Sequence, residues 1–445
     1  MATAALTVSA RSVMDPDAIN FRHGMYGTCI NGQAFQIDPI VTHAGWQYAA
    51  YFNGPGHPCV ARRRLPDGPW QRIVFTEHRI NHSDAHNVAV VGVCAADGTI
   101  HLTYDHHGHP LRYRVSRPGA ATKPEAANWD RGLFGPATSE LVPGKVVDRV
   151  TYPALFPTPD GKLQFYYRVG GSGDGDSHLA EYDGATRAWT LLGPIVSRKG
   201  DFKRFHSRCA YHNGFHYGPG GRLHTTWVWR EHYSSLLTNH DLMYGYSDDA
   251  GRTWHNSAGK RIGAAGSDPM HLDSPGVIVH PIPFDWGMMN NLTQNVDDAG
   301  RVHVVLWQNP PDAKGPTENW NDWRYFHYWR DADGGRWHQQ RLPFAGRRPA
   351  LLVAPGGDLL LVFTGGDDLR YRGHDTGGPL EIARASAASG WNDWAVVYHS
   401  AELFDGEPRA DQTRWRDERV LSVYAQEHPA ELGTPSPLRV LDFRP

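Results

Sequence analysis

Short runs of alternating apolar and polar residues, each opened by a turn, return along the chain at intervals of about 60 residues. Strong copies are "DGTIHLTYDHH" from Asp97, "DGKLQFYYRVG" from Asp160, "GGRLHTTWVWR" from Gly220, "AGRVHVVLWQN" from Ala299 and "GGDLLLVFTGG" from Gly356. Weaker copies are "HAGWQYAAYFNG" from His43 and "RDERVLSVYAQ" from Arg416. Side chains alternate between faces along a strand, so each copy predicts a strand entered through a tight turn. Long stretches of helical periodicity are nearly absent, and the chain is expected to be all-β.

A second landmark keeps step with the first. Trp70, Trp129, Trp189, Trp254, Trp337 and Trp391 each close a strand-turn segment before the next copy begins. Ser247 to Trp254 reads "SDDAGRTW", which fits the Asp-box pattern S-x-D-x-G-x-T-W at every specified position. Its physical sense is a turn held by the carboxylate and hydroxyl, with the indole packed beneath. "YDGATRAW" ending at Trp189 and "DADGGRW" ending at Trp337 are degraded forms. Seven units of four antiparallel strands predict a seven-bladed β-propeller, and an open pair of sheets would not explain the repeat. A chain of 445 residues would ordinarily suggest two or three domains, but a repeat array removes that inference. The expectation is one domain over residues 1–445, with "ALTVSARSV" near the start pairing with the terminal "PLRVLDFRP" to close the ring.

Composition narrows the partners. A net charge of −3 offers no general attraction to nucleic acid or to an anionic membrane, so an anionic ligand must be met by local arginines. No window approaches the 18 apolar residues of a membrane span. The first residues lack a basic end followed by an apolar run, so no signal peptide is visible; localisation stays open, because a trimmed leader would look the same. A monomer is expected. Cys29, Cys59, Cys94 and Cys209 show no CxxC pairing and read as reduced core residues.

In a propeller the innermost strand of each unit lines a central channel, where residues distant in sequence converge. Those strands should precede each Asp-Gly turn: "SDAHNVAVVGV", "RVTYPALFPTP", "FHSRCAYHNG", "MNNLTQNVDD" and "GRRPALLVAP". Their openings carry His86, Tyr152, Arg208, Asn291 and Arg348, and the following strands end in His106, His107, Arg168 and Arg230. Imidazoles, a phenol and guanidiniums are present, but no obvious pair of carboxylates. Glycoside hydrolysis usually needs two acids in facing roles. His, Tyr and Arg together suit removal of a proton beside a carboxylate, with a second group protonating the leaving oxygen.

The same segments resemble the BNR-repeat propeller family of polysaccharide lyases, a group that includes ulvan lyases and lyases cutting rhamnose–glucuronate linkages. "DAHN", "DGTIHLTYDHHGHPLRYR", "VTYPALFPTPDGKLQFYYRVGGSGDGD" and "WVWRE" carry the resemblance, from about His82 to Trp254. The 21 positions from His86 to His107 and the 16 from Tyr152 to Arg168 look like the family's catalytic spacing. The resemblance implies that His86, His107 and Tyr152 form the acid/base group, with base and acid unassigned between them. It implies that Arg168 neutralises a uronate carboxylate and that Arg230 holds a sugar or carboxylate. His106, Arg208 and Asn291, at the polar strand positions above, are further candidates for substrate contact, with alternation along the strand favouring His107 over His106. The implied reaction is β-elimination at O4 of a uronic acid, with glucuronate next to rhamnose as the substrate and an unsaturated uronate as product. A sialidase-type hydrolase and a non-catalytic glycan-binding propeller are the alternatives.

No cofactor is needed for such an elimination, but relatives with structural metals make a zinc or calcium ion an expectation. His206, Cys209, His224 and His240 are soft donors suited to zinc. "GGSGDGDSH", Gly170 to His178, reads as a glycine turn or, through Asp174 and Asp176, a calcium loop. "WNDWRYFHYW", Trp320 to Trp329, reads as packing or as a sugar-stacking surface.

Overall fold

The computed structural model describes residues 6–80, 82–232, 235–333, 335–365 and 377–444. Ala5, Gly334, Gly366 and Pro445, at the margins of segments expected to be strands or turns, lie outside the described residues. Among the described residues the chain is all-β, with a single short α-helix, Gln412–Glu418.

The strands gather into consecutive antiparallel sheets. The first holds Ile40–His43, Trp46–Phe52, Pro58–Arg64 and Gln71–Val74, and the second holds Ala89–Cys94, Thr99–Tyr104 and Tyr113–Val115. The third runs from His107–His109 through Val150–Pro157, Leu163–Gly171 and Asp174–Asp183 to Ala188–Val196. The fourth begins with Arg208–Tyr217, Leu223–Glu231 and Asn239–Ser247, and the fifth spans Thr293–Val296 to Trp337–Arg341. A last, seven-stranded sheet starts at Ala350–Val353 and ends with Ser436–Arg444 paired to Thr7–Ala18.

The repeated Asp-Gly or Gly-Gly pairs lie between the first and second strands of successive sheets. Gly98, Gly161, Gly220, Gly300 and Gly356 all have positive φ there, a conformation that side-chain-bearing residues resist. The first strands, except Val150–Pro157 with His107–His109 on its outer side, lie at sheet edges and meet their counterparts in neighbouring sheets. Gly92 marks one such approach, since a Cβ there would sit 2.7 Å from the Leu155 Cβ. Leu351 donates its N–H to Thr293 Oγ1 at 2.9 Å, linking the fifth sheet to the last. The last sheet in turn packs on the first: Arg63 pairs with Asp442 at 3.0 Å, and the Tyr424 hydroxyl donates to the Ala50 carbonyl. A cavity of about 570 Å³ runs along the later residues of the first strands, including Ala154–Pro157 and Thr293–Asp297.

A large apolar cluster fills the space between sheets from Phe21 to Trp394, and two smaller clusters lie within the last sheet and between it and the first. The Asp-box contributes to it as its residues dictate. Asp249 accepts from the Thr253 N–H and hydroxyl, each at 2.7 Å, and Ser247 Oγ accepts from Gly251 N. Trp254 is wholly buried under this turn and donates to the Gly251 carbonyl. All four cysteines are buried free thiols. Among the described residues no helix is long and apolar enough to cross a membrane.

Candidate functional site

Two of the polar residues at the strand openings and ends, His86 and His107, converge on Asp84. In "SDAHN" an Asx turn forms: Asp84 Oδ1 accepts the His86 backbone N–H at 3.0 Å and its Nδ1–H at 2.8 Å. Oδ2 accepts from His107 Nδ1 at 2.6 Å. An ionised carboxylate only accepts, so both Nδ1 atoms carry protons and, in the neutral rings, both Nε2 atoms keep a lone pair. The two imidazoles stack 4.2 Å apart. Phe35 covers the His86 ring at 4.0 Å, and the half-exposed Tyr26 meets it edge-on at 4.5 Å. Burial would raise the Asp84 carboxyl, but hydrogen bonds from His107 and His86 outweigh it and hold the group well below the usual carboxylate range. Burial pulls His86 down to about 3, so this ring is neutral at physiological pH. His107 is only partly buried and remains open to an incoming group.

The strand His107–His109 adds to the edge of Val150–Pro157, with His107 opposite Thr151. Register breaks between Thr151 and Ala154, and Tyr152 takes a left-handed conformation at φ 56°. A bulge of this kind re-aims a side chain at the cost of local strain. The Tyr152 ring lies 5.6 Å from His86, 5.8 Å from Phe35 and 5.5 Å from Tyr211. Its burial pushes the phenol well above its ordinary value, keeping it protonated. Arg168 lies beneath both phenols, 4.8 Å from the Tyr152 ring and 5.5 Å from that of Tyr211, and is 1% exposed. The half-buried Arg230 stacks on Tyr211, donates to its hydroxyl at 3.2 Å and to Asn290 Oδ1 at 2.5 Å. Neither Arg168 nor Arg230 has a carboxylate partner among the described residues, and Arg168 Nε lacks a hydrogen bond.

Residues 46–345 match the BNR repeat-containing family, about two thirds of the chain. The chain belongs to this family. It is similar to a long-isoform ulvan lyase from an Alteromonas species, with 23% identity over 395 residues covering 81% of this chain and 37% of the relative. A short-isoform ulvan lyase from Alteromonas sp. strain LOR is 24% identical over 277 residues, 52% of this chain and 51% of the relative. The chain therefore spans about a third to a half of the length of these curated relatives. Among solved structures it is similar in fold to polysaccharide lyase Uly1, with a TM-score of 0.76, 18% identity, and coverage of 98% and 99% of the two chains. It is also similar to a PL25 ulvan lyase bound to -[GlcA(1-4)Rha3S]-, with a TM-score of 0.66, 12% identity, and coverage of 95% and 94%.

In this BNR-repeat chain His86, His107, Tyr152, Arg168 and Arg230 are brought together, but other expected site residues are not. His106 is fully buried; its Nε2 accepts the Arg112 N–H, and alternation along the chain turns it away from His107. Arg208 is a correction too: it is fully buried, paired with Glu231 at 2.9 Å and bonded to three backbone carbonyls, which leaves nothing for a sugar. Asn291 is buried at φ 53° and accepts from Asn290 Nδ2, so it supports Asn290 and, through it, Arg230. The expected metal set is scattered. His206 is exposed beside Asp201, Cys209 accepts from Gly173 N, His224 bonds Tyr244, and His240 bonds Glu231 and Asp241.

Asp174 and Asp176 are each taken up by Arg198 at 2.9 Å within a strand, not a calcium loop. In "WNDWRYFHYW", Trp323, Tyr325, Phe326 and Tyr328 are buried in sheet packing. Sequence reasoning missed Asp84, Tyr26, Phe35 and Tyr211. Only Asp84 carried a local signal, as an aspartate two residues before a histidine at a strand opening. Tyr26 and Phe35 precede the family match and reach His86 through the fold alone.

Proposed function

We propose that this protein is a polysaccharide lyase that cleaves at O4 of a uronic acid by β-elimination, at the site around Asp84. The observation that carries this reading is the pair of guanidiniums without carboxylates, Arg168 and Arg230, beside two imidazoles oriented by one aspartate. An uncompensated buried cation is costly unless an anion arrives to meet it. Arg230 contacts the substrate carboxylate, and Arg168 adds its field from behind the phenols. With the carboxylate neutralised, the C5 proton becomes acidic. His107 Nε2 takes that proton, the electron pair forms the C4–C5 double bond, and the C4–O4 bond breaks. Tyr152, held protonated by burial, gives its proton to the departing oxygen. His86 is buried against Phe35 and keeps Asp84 and His107 in place.

The same reading makes the sheets blades of one closed seven-bladed propeller, the seven-stranded sheet being two blades joined along Ala395–Ala410. Glucuronate next to rhamnose is the proposed substrate, supported by the names of the similar ulvan lyases. The test is ultraviolet absorbance during incubation with ulvan and other rhamnose–glucuronate glycans, alongside a reducing-end assay. Absorbance rising in step with reducing ends is the expected outcome. Reducing ends without absorbance would replace elimination with hydrolysis, and silence in both with glycan array binding would leave a binding protein.

A further inference from the structure

A second group of donors, His82, Asp105 and His109, gathers around Asp105 and is not used by the proposed chemistry. Asp105 is buried at φ 62°, a conformation unfavourable for a non-glycine residue. His78 donates Nε2–H to its Oδ2 at 2.7 Å, and the Arg112 guanidinium approaches the same oxygen at 3.4 Å. Oδ1 is buried and takes no hydrogen bond. His82 Nε2 faces it at 3.2 Å without hydrogen-bonding geometry. The His109 ring stacks on His82 at 5.5 Å, and ligating atoms of His82, Asp105 and His109 all lie within 4.8 Å of one another.

The Asp84 group has the same residue types but a different state. There both carboxylate oxygens are already occupied by imidazole N–H donors. At Asp105 an oxygen without a hydrogen bond lies 3.2 Å from an imidazole nitrogen, a separation that two ligands of a common cation adopt. Zinc–nitrogen and zinc–oxygen bonds of about 2.0–2.1 Å at tetrahedral angles separate two donors by roughly 3.3 Å, close to the spacing of His82 and Asp105. His78 then supplies the outer hydrogen bond that fixes a ligating carboxylate.

We propose that His82, Asp105 and His109 bind a divalent transition metal, zinc by the character of the donors. Its role is structural: the ion ties the loop before Asp84 to the strand that carries His107. His109 Nδ1 now accepts the His107 N–H at 3.1 Å, so an ion that claims this ring also acts on the backbone of His107. This inference is independent of the proposed lyase reaction.

The measurement is metal content after purification and after dialysis against a chelator, with zinc added back while the melting temperature is followed. The expected result is about one zinc per chain, a fall in Tm on chelation and its recovery with zinc. His82→Ala, a change at a partly exposed position that leaves the core intact, should abolish both retention and recovery, as should His109→Ala. Full zinc content in both variants would overturn the assignment. So would zinc lost in Asp84→Asn but kept in His82→Ala, since the ion would then belong to the Asp84 group. Absence of any stoichiometric zinc or any Tm response in the parent protein would overturn it as well.

Discussion

Asp84 illustrates what one side chain does when two elements bring their histidines to it. Its two oxygens set the tautomers of His86 and His107, and an amide cannot do this, because its nitrogen would donate toward one Nδ1. Asp84→Asn is expected to lower turnover by about 10²-fold or more, and Tyr152→Phe by about 10²–10⁴-fold, with circular dichroism unchanged. Activity within a few-fold of the parent in either variant would contradict the proposed roles. Arg168 carries the opposite balance between stability and function. It is a buried cation without a carboxylate partner, so Arg168→Met should raise stability by about 1 kcal/mol while abolishing activity. Denaturant midpoints and initial rates on the same preparation would check both halves. His86, His107 and Tyr152 were legible as candidates because polar side chains open strands that otherwise continue as apolar runs. Arg208 misled for the same reason, since only the fold places Glu231 against it.

At the scale of elements, turns carry much of the information. The Asp-box between Asn239–Ser247 and Thr253–His255 has every specified residue in use. Trp254→Ala removes a fully buried indole and should cost about 3–5 kcal/mol, measured by equilibrium unfolding. A cost under about 1 kcal/mol would mean that the indole is not the support of that turn. The bulge at Tyr152 is a different case. Nothing in "RVTYPALF" announces a break in register, because the break depends on the edge strand His107–His109 pairing to the same segment. Removing the terminal strand Thr7–Ala18 should expose the edge of Ser436–Arg444 and increase cleavage by a nonspecific protease.

For the whole molecule the burial of so many histidines sets the response to acid. Burial lowers His86, His101, His106, His212 and His224 to about 3 and His216 to about 4. In the unfolded chain these groups titrate near 6.5. Below that pH the unfolded state takes up protons that the folded state refuses. The stability they contribute is therefore complete above about pH 6.5 and is lost as the pH falls toward 3, by about 1.4 kcal/mol per pH unit for each histidine. His240 and His428, whose values are raised, oppose this but are outnumbered. Unfolding midpoints at pH 7.5, 6 and 5 should fall steadily, and a midpoint constant over that range would refute the account.

The chain by itself determined the all-β class, the places of the repeated turns, the Asp-box and most of the polar strand openings. These follow from period-two alternation and from residues that tolerate positive φ, both of which act over a few neighbours. The tertiary structure decided which polar groups are mutually satisfied: Asp84 serving two rings, Arg208 cancelled by Glu231, and Arg168 and Arg230 left without carboxylates. Charge pairing and burial depend on distances between segments far apart in sequence, and a linear pattern does not contain those distances.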